Sequence, residues 1–201
     1  MCKRLFDIVF SASVLLLGSP IYLMIALAVR ITSSGSIFYA SSRVGLGGKP
    51  FPCWKFRTMF KDADCRLKEL LDGCPDLKKE WETFWKLQND PRVTPVGRFL
   101  RKTSLDELPQ FWNVLKGDLS VVGPRPVTAD EIERYYGDKA EKILSLRPGI
   151  TGLWQTSGRS LITFEERVNL EESYVEHSSF FYDIKLILKT IPYLFFSRGA
   201  F

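Results

Sequence analysis

The sequence predicts an α+β fold that is mostly helical, with an apolar helical segment at the N-terminus, a short β-hairpin after it and amphipathic helices beyond. Three observations carry this reading. Residues 5–31 are almost wholly apolar. Residues 37–39 and 51–57 alternate aromatics with other residues around a glycine turn. From residue 60 onward, apolar residues recur at helical spacing between glycine and proline breaks. A chain of 201 residues holds one domain, or one domain and an anchor. The division is expected between residues 1–32 and 33–201.

The segment from Leu5 to Ile31 is interrupted by Asp7, Ser11, Ser13, Gly18, Ser19, Pro20 and Tyr22, and Arg30 closes it. As one straight helix of about 26 residues at ~1.5 Å each, it would exceed the ~30 Å hydrocarbon core of a bilayer. No small-residue cleavage site follows a short apolar run, which argues against a signal peptide. A buried core helix would not need so wide an apolar surface. Two membrane readings remain, a simple span and a re-entrant hairpin kinked at Ser19-Pro20. Pro20 removes a helix hydrogen bond, and Ser19 can satisfy the freed carbonyl. Lys3 and Arg4 lie before the segment, and Arg30, Arg43 and Lys49 close or follow it. The positive-inside tendency therefore places both ends on the cytoplasmic side. Proline is tolerated in spanning helices too, so the residues alone leave both readings open.

Ile37-Phe-Tyr39 and Phe51 to Arg57 are the expected strands, joined around Gly45-Leu-Gly-Gly48. Gly-Gly-Lys49 does not have Walker spacing and Pro50 follows it, so it is no phosphate loop. Residues 60–88 read as helical with a break at Gly73-Cys-Pro75. Leu67, Leu70 and Leu71, then Leu77, Trp81, Phe84 and Gln88, form a packing face. Asn89-Asp-Pro91 is a turn, and Leu119 to Val122 a short strand. Residues 128–146 form a helix capped by Thr128 with Glu131. Residues 147–159 are a rigid loop dense in glycine, 163–177 a polar helix, and 180–196 an apolar, aromatic helix suited to a membrane surface or the core. There is no internal repeat.

Lys+Arg 28 against Asp+Glu 23 gives a net charge of +5. That modest excess suits an anionic membrane face or substrate and is a weak case for nucleic acid. The single histidine, His177, argues against a histidine metal site or a Ser/His triad. Cys2, Cys53, Cys65 and Cys74 form no C-x-x-C pair and read as reduced thiols.

The chemistry concentrates between Lys102 and Pro126. Two adjacent carboxylates, Asp106 and Glu107, follow Arg98, Arg101 and Lys102, and the turn Gly123-Pro-Arg-Pro126 comes after. Ser104-Leu-Asp-Glu107 matches the capping box Ser-x-x-Glu, in which Glu107 would merely satisfy a backbone donor. Pro109 speaks against it, since with Ser104 as cap it would be the fifth helical residue, where a donor is needed. With Asp106 as cap Pro109 is third, where it is tolerated. Either way both acids are expected in a first helical turn, whose positive end keeps Asp106 ionised and can hold a phosphate.

The chain resembles the bacterial sugar transferase family, the monotopic polyprenyl-phosphate phosphoglycosyl transferases. The resemblance covers nearly the whole chain. Its motifs, in order, are Lys3-Arg-Leu-Phe-Asp7, Ser19-Pro20, Arg43-Val-Gly45, Lys55-Phe-Arg-Thr-Met59, Asp90-Pro-Arg92, Val96 to Gln110, Val122-Gly-Pro-Arg-Pro126, Arg147 to Gln155, Ser157-Gly-Arg159 and Arg198-Gly-Ala-Phe201. Trp81 to Thr94 is most similar to the branch that transfers galactose or glucose phosphate to undecaprenyl phosphate. Ser42 departs from the glutamate usual before Arg-Val-Gly, and Thr58 replaces a common serine but keeps the hydroxyl.

The resemblance implies transfer of a sugar phosphate from a UDP-sugar to a polyprenyl phosphate, with release of UMP and a need for Mg²⁺, at the cytoplasmic face of the bacterial inner membrane. It implies a re-entrant N-terminal helix with Ser19-Pro20 at its turn, a compact cytoplasmic catalytic domain and interfacial amphipathic helices. It makes Asp106 the nucleophile and Glu107 its partner; Mg²⁺ is expected to bind through Asp106 and phosphate oxygens. Lys55, Arg57, Arg98, Arg101, Arg125, Arg147 and Arg159, with Gln155, are candidates for gripping the diphosphate or lipid phosphate, since guanidinium can hold two oxygens at once. Galactose or glucose leads as the sugar, with an N-acetylated hexosamine as alternative. A non-catalytic membrane adaptor and a membrane phosphohydrolase are the competing classes, and a homodimer is left open. Longer family members carry further N-terminal spans, so the chain is expected to be a catalytic part or a short form.

Overall fold

The chain begins with two helices, α1 (Cys2–Leu17) and α2 (Ser19–Thr32), bent by 61° at the break between them. The computed structural model describes residues 2–84, 87, 89–157 and 162–195. The break falls at Gly18, where a Cβ would lie 2.5 Å from the Val14 carbonyl oxygen. Pro20 sits in the first turn of α2, where its missing N–H is tolerated. Backbone bonds rather than the Ser19 hydroxyl hold the corner: Gly18 N–H donates to Val14 O at 2.9 Å, and Tyr22 N–H to Gly18 O at 3.0 Å. Neither helix alone is long and apolar enough to cross a membrane, whereas the bent pair has the length and composition.

The first turns of α1 are tied into the rest of the fold. Asp7, 3% exposed, accepts from the Ser120 hydroxyl at 2.9 Å and from Val121 N–H at 3.0 Å. Lys3 donates to Val122 O at 2.9 Å and pairs with Asp183. Arg4 donates to Val114 O at 2.6 Å and Leu115 O at 3.0 Å, carbonyls in the last turn of a helix. The motif Lys3-Arg-Leu-Phe-Asp7 is thus a clamp, with Phe6 packed on the core between its polar residues.

β1 (Phe38–Val44) and β2 (Pro50–Phe56) form the expected antiparallel hairpin, with Lys55 opposite Tyr39 and Arg43 opposite Phe51. Its two faces serve two cores. Phe51 and Cys53 pack with Val114, Leu119, Val122, Tyr174 and Leu186. Phe56 packs with Ile25, Val29 and Leu100. α3 (Ala63–Gly73) and α4 (Pro75–Phe84) follow, separated at Cys74 as expected; their apolar face is half-buried at Leu67, Leu70, Leu71, Leu77 and Trp81. Gln88 and the Phe84 side chain lie outside the described residues.

α5 (Pro95–Thr103), a short 3₁₀ turn (Leu105–Glu107) and α6 (Gln110–Lys116) carry the acidic pair. β3 (Ser120–Val122) runs parallel to β4 (Gly149–Thr151). The expected helix over 128–146 is broken at Gly137, φ 47°, into α7 (Ala129–Tyr135) and α8 (Ala140–Leu144). Thr128 and Glu131 do form the predicted capping box. α9 (Phe164–His177) and α10 (Phe180–Phe195) follow, and exposed His177 bonds the Ser173 carbonyl in its own helix. The cysteines are free.

Candidate active site

The acidic pair is placed by two abrupt chain reversals. α5 starts at Thr94, whose hydroxyl oxygen accepts from Gly97 N–H at 2.9 Å. It crosses the end of the hairpin so closely that a Cβ on Gly97 would lie 2.0 Å from the Thr58 carbonyl oxygen. α5 ends at Ser104 in the left-handed conformation, φ 57° and ψ 15°. Ser104 therefore terminates one helix instead of capping the next, and Ser104-Leu-Asp-Glu107 is not a capping box. Leu105–Glu107 forms the 3₁₀ turn, and α6 begins only after Pro109. Pro109 could not have stood inside a helix begun at Ser104, which is why the chain breaks twice.

α6 in turn is pinned to β2. Asn113, 0% exposed, accepts from Trp54 N–H at 3.0 Å and donates to Pro52 O at 2.7 Å. Its amide occupies the open edge of β2, where a third strand would pair. This fixes the acids against Lys55. Lys55 Nζ donates to Glu107 Oε1 at 2.6 Å and stands 4.0 Å from Asp106 Oδ2. Arg101 donates from Nε to the Thr58 hydroxyl at 2.9 Å, the group that threonine shares with serine.

Asp106 is 7% exposed, and burial pushes its carboxyl up to about 6. Lys55 and Arg101 pull it down, and Glu107 pushes it further up. The expected control by a positive helix end is thus replaced. The acids lie before α6 rather than in its first turn, and loss of water dominates.

A cleft beside the pair is lined by Glu107, Lys55, Arg43, Gln110, Arg125 and Gln155, among others. Of the predicted basic residues, Lys55 and Arg125 reach it, and Arg101 acts on Asp106 without lining it. Three do not. Arg57 donates to the Ser33 carbonyl at 2.6 Å and holds the linker after α2. Arg98 is exposed on α5. Arg147 is exposed and donates to Gly117 O at 3.0 Å, just past the end of α6. Arg159 lies outside the described residues. Arg43 and Gln110 line the cleft although the sequence did not single them out as site residues. The signal for Arg43 was its place in the hairpin, opposite Phe51, on the face shared by Cys53 and Lys55.

The profile of the bacterial sugar transferase family matches residues 1–197. The chain belongs to this family. It is 48% identical over 201 residues to the exopolysaccharide production protein ExoY of Rhizobium meliloti, covering 100% of this chain and 88% of that protein. It is 49% identical over 200 residues to the undecaprenyl-phosphate galactose phosphotransferase of Salmonella typhimurium, covering 99% of this chain and 41% of that protein. It is 38% identical over 208 residues to the UDP-glucose:undecaprenyl-phosphate glucose-1-phosphate transferase of Escherichia coli, covering 100% of this chain and 42% of that protein. The chain therefore spans less than half the length of these last two relatives. It is an enzyme, a sugar transferase.

In this sugar transferase the loop carrying Arg125 is built by close backbone approach. A Cβ on Gly123 would lie 2.3 Å from the Arg147 carbonyl oxygen, and one on Gly149 2.0 Å from Gly123 N. The glycines around residue 150 thus let β4 reach β3, where the sequence reading had only a loop. The Arg125 guanidinium lies 4.6 Å from the centre of the Trp154 ring. Among the described residues no three His, Cys, Asp or Glu side chains gather as a metal cage. Mg²⁺ commonly takes one or two carboxylates and completes its shell with waters and substrate phosphates. The donor set of this site fits that mode. Lys55 already occupies one Glu107 oxygen, so Asp106 would be the carboxylate to hold such an ion.

Proposed function

We propose that this sugar transferase moves a hexose 1-phosphate from a UDP-hexose to undecaprenyl phosphate and releases UMP. This would be the first membrane step of exopolysaccharide, capsule or O-antigen assembly. The observation that carries the reading is Asp106, a buried carboxylate under the charges of Lys55, Arg101 and Glu107, two of which, Lys55 and Glu107, line a basic cleft. The names of the relatives support the donor and acceptor classes, and galactose and glucose lead as sugars. A UDP-N-acetylhexosamine is the alternative donor.

In the first step a carboxylate oxygen of Asp106 attacks the β-phosphorus of the donor. The bond from that phosphorus to the bridging oxygen breaks, and its electron pair leaves with UMP. The phosphosugar is now an acyl phosphate on Asp106. In the second step a phosphate oxygen of the lipid attacks the same phosphorus and the Asp106 oxygen leaves as carboxylate. Splitting one displacement into two is the gain of covalent catalysis. Arg125 and Lys55 grip phosphate oxygens as charge shifts between them. Glu107 accepts a proton from the incoming lipid phosphate or steadies the metal. Mg²⁺, held through Asp106 and the substrate phosphates, would supply charge neutralisation. Residues 1–32 serve as a re-entrant anchor in the inner membrane, with residues 33–201 on its cytoplasmic face.

The test is a panel of UDP-sugars incubated with the enzyme, Mg²⁺ and undecaprenyl phosphate. The reading predicts UMP and a sugar-phosphate-lipid in equal amounts, with UDP-galactose or UDP-glucose best. Free sugar phosphate without glycolipid would make it a phosphohydrolase. Absence of turnover with every donor would return it to an adaptor.

A further inference from the structure

The sequence presents α9 as a polar helix without a role, yet Arg167, Val168, Glu171 and Tyr174 on it are buried. Glu171 is 0% exposed. Its Oε1 accepts a hydrogen bond from the Arg125 backbone N–H at 3.0 Å, while Oε2 has no hydrogen-bond partner among the described residues. That N–H is singular. Arg125 stands between Pro124 and Pro126, neither of which has a backbone donor, so it is the one N–H across three residues of the loop. The loop spends it on Glu171.

The side chain of Arg125 is fixed by the same neighbourhood. Its guanidinium shares the Trp154 ring with that of Arg167, at 4.6 Å and 5.0 Å from the ring centre. Two like charges on one ring need opposite charge nearby. Glu131 supplies it, at 3.6 Å from Arg167 and 3.2 Å from Arg43, while Glu171 holds the Arg125 backbone beside the ring. Arg43 and Arg125 both line the cleft.

We infer that Glu171 is a positioning residue for the transfer reaction: with Trp154 it sets the backbone and guanidinium of Arg125 so that Arg125 meets the diphosphate of the nucleotide sugar. This rests on the donor reading given above. Glu171 does not touch substrate and acts through Arg125. A Glu171→Met substitution keeps the side-chain length and removes the acceptor, so the loop loses the bond that orients Arg125.

The experiment is a double-mutant cycle on the full chain, with UMP release measured as kcat and as KM for UDP-hexose. Glu171→Met is expected to raise KM for the donor about tenfold, the scale of losing one hydrogen bond to a charged group, with a smaller change in kcat. In an Arg125→Ala background the same change should add little. Glu171→Gln, which keeps an oxygen facing the N–H, should recover most of the loss. Equal losses from Glu171→Met with and without Arg125 would overturn the inference, as would a Glu171→Gln variant no better than Glu171→Met. If Glu171→Met does not fold, Trp154→Leu replaces it in the cycle, and additivity with Arg125→Ala again overturns the inference. A wild-type chain that releases no UMP would instead overturn the donor reading itself.

Discussion

At the scale of the residue, Asp106 is held near 6 by burial against the pull of Lys55 and Arg101. A nucleophilic carboxylate works only when ionised, so the rate of the first step should level off above about pH 6 and fall about tenfold per pH unit below it. Glu107 pushes the group up, so Glu107→Gln should move this acid limb to lower pH. Lys55 pulls it down, so Lys55→Ala should move the limb to higher pH. Shifts in the same direction would contradict this electrostatic account. The linkage sign is also fixed. A carboxyl raised from 3.8 to about 6 on folding leaves stability intact below 3.8 and lowers it as pH rises through 6. Asp106→Asn should therefore stabilise the fold at pH 7.5, by at most about 3 kcal/mol, and have little effect at pH 3.5. Ser104 gives a further test. In its left-handed conformation Ser104→Gly should be neutral or stabilising by up to about 1 kcal/mol, whereas a capping serine would lose stability. Residue types and their order made Asp106, Glu107, Lys55 and Arg125 readable from sequence. The same types at Arg57, Arg98 and Arg147 were indistinguishable from them. Which way an arginine faces depends on where α5 sits and on which carbonyl each guanidinium meets, and no residue type encodes either.

At the scale of the element, the site depends on two close approaches. Gly97 lets α5 cross Thr58, and Gly97→Ala places a methyl against backbone that cannot yield. It should cost about 1–3 kcal/mol in thermal or denaturant unfolding. It should also lower activity by moving Arg101 off Thr58; unchanged stability would show that α5 sits further away. Asn113 joins α6 to the edge of β2, and Asn113→Ala takes from Trp54 N–H and Pro52 O the partner that holds α6 there. The hairpin, α10 and the Thr128 cap were legible because alternation, apolar runs and capping chemistry are local signals. β4 was not, since three residues with two flanking glycines show no period. The break at Gly137 was hidden for a related reason: one glycine within a helical pattern does not disclose its φ.

At the scale of the whole molecule, large apolar residues remain exposed on α1 and α2, among them Leu16, Leu17, Leu23, Met24 and Ile31, and on α10 at Phe181 and Leu188. Sequence composition had marked these helices, and the bend between α1 and α2 keeps the span and hairpin readings distinct in what they predict. Cys2 and Cys65 are both exposed, at the start of the hairpin and on the domain. If the hairpin is re-entrant, an impermeant maleimide labels both from the cytoplasmic side. Labelling of Cys2 only from the opposite side would establish a span. The clamp of Lys3, Arg4 and Asp7 on β3 and α6 would link that topology to catalysis, because it fixes the apolar helix pair to the elements around the acidic pair. The central claim is that Asp106 carries the phosphosugar between donor and lipid, and it is tested most directly by omitting the lipid. Enzyme mixed with UDP-hexose and Mg²⁺ alone should release UMP up to one equivalent and gain the mass of a hexose phosphate on the peptide containing Asp106. Asp106→Asn should give neither. UMP release that waits for undecaprenyl phosphate, or an adduct that survives in Asp106→Asn, would contradict the account.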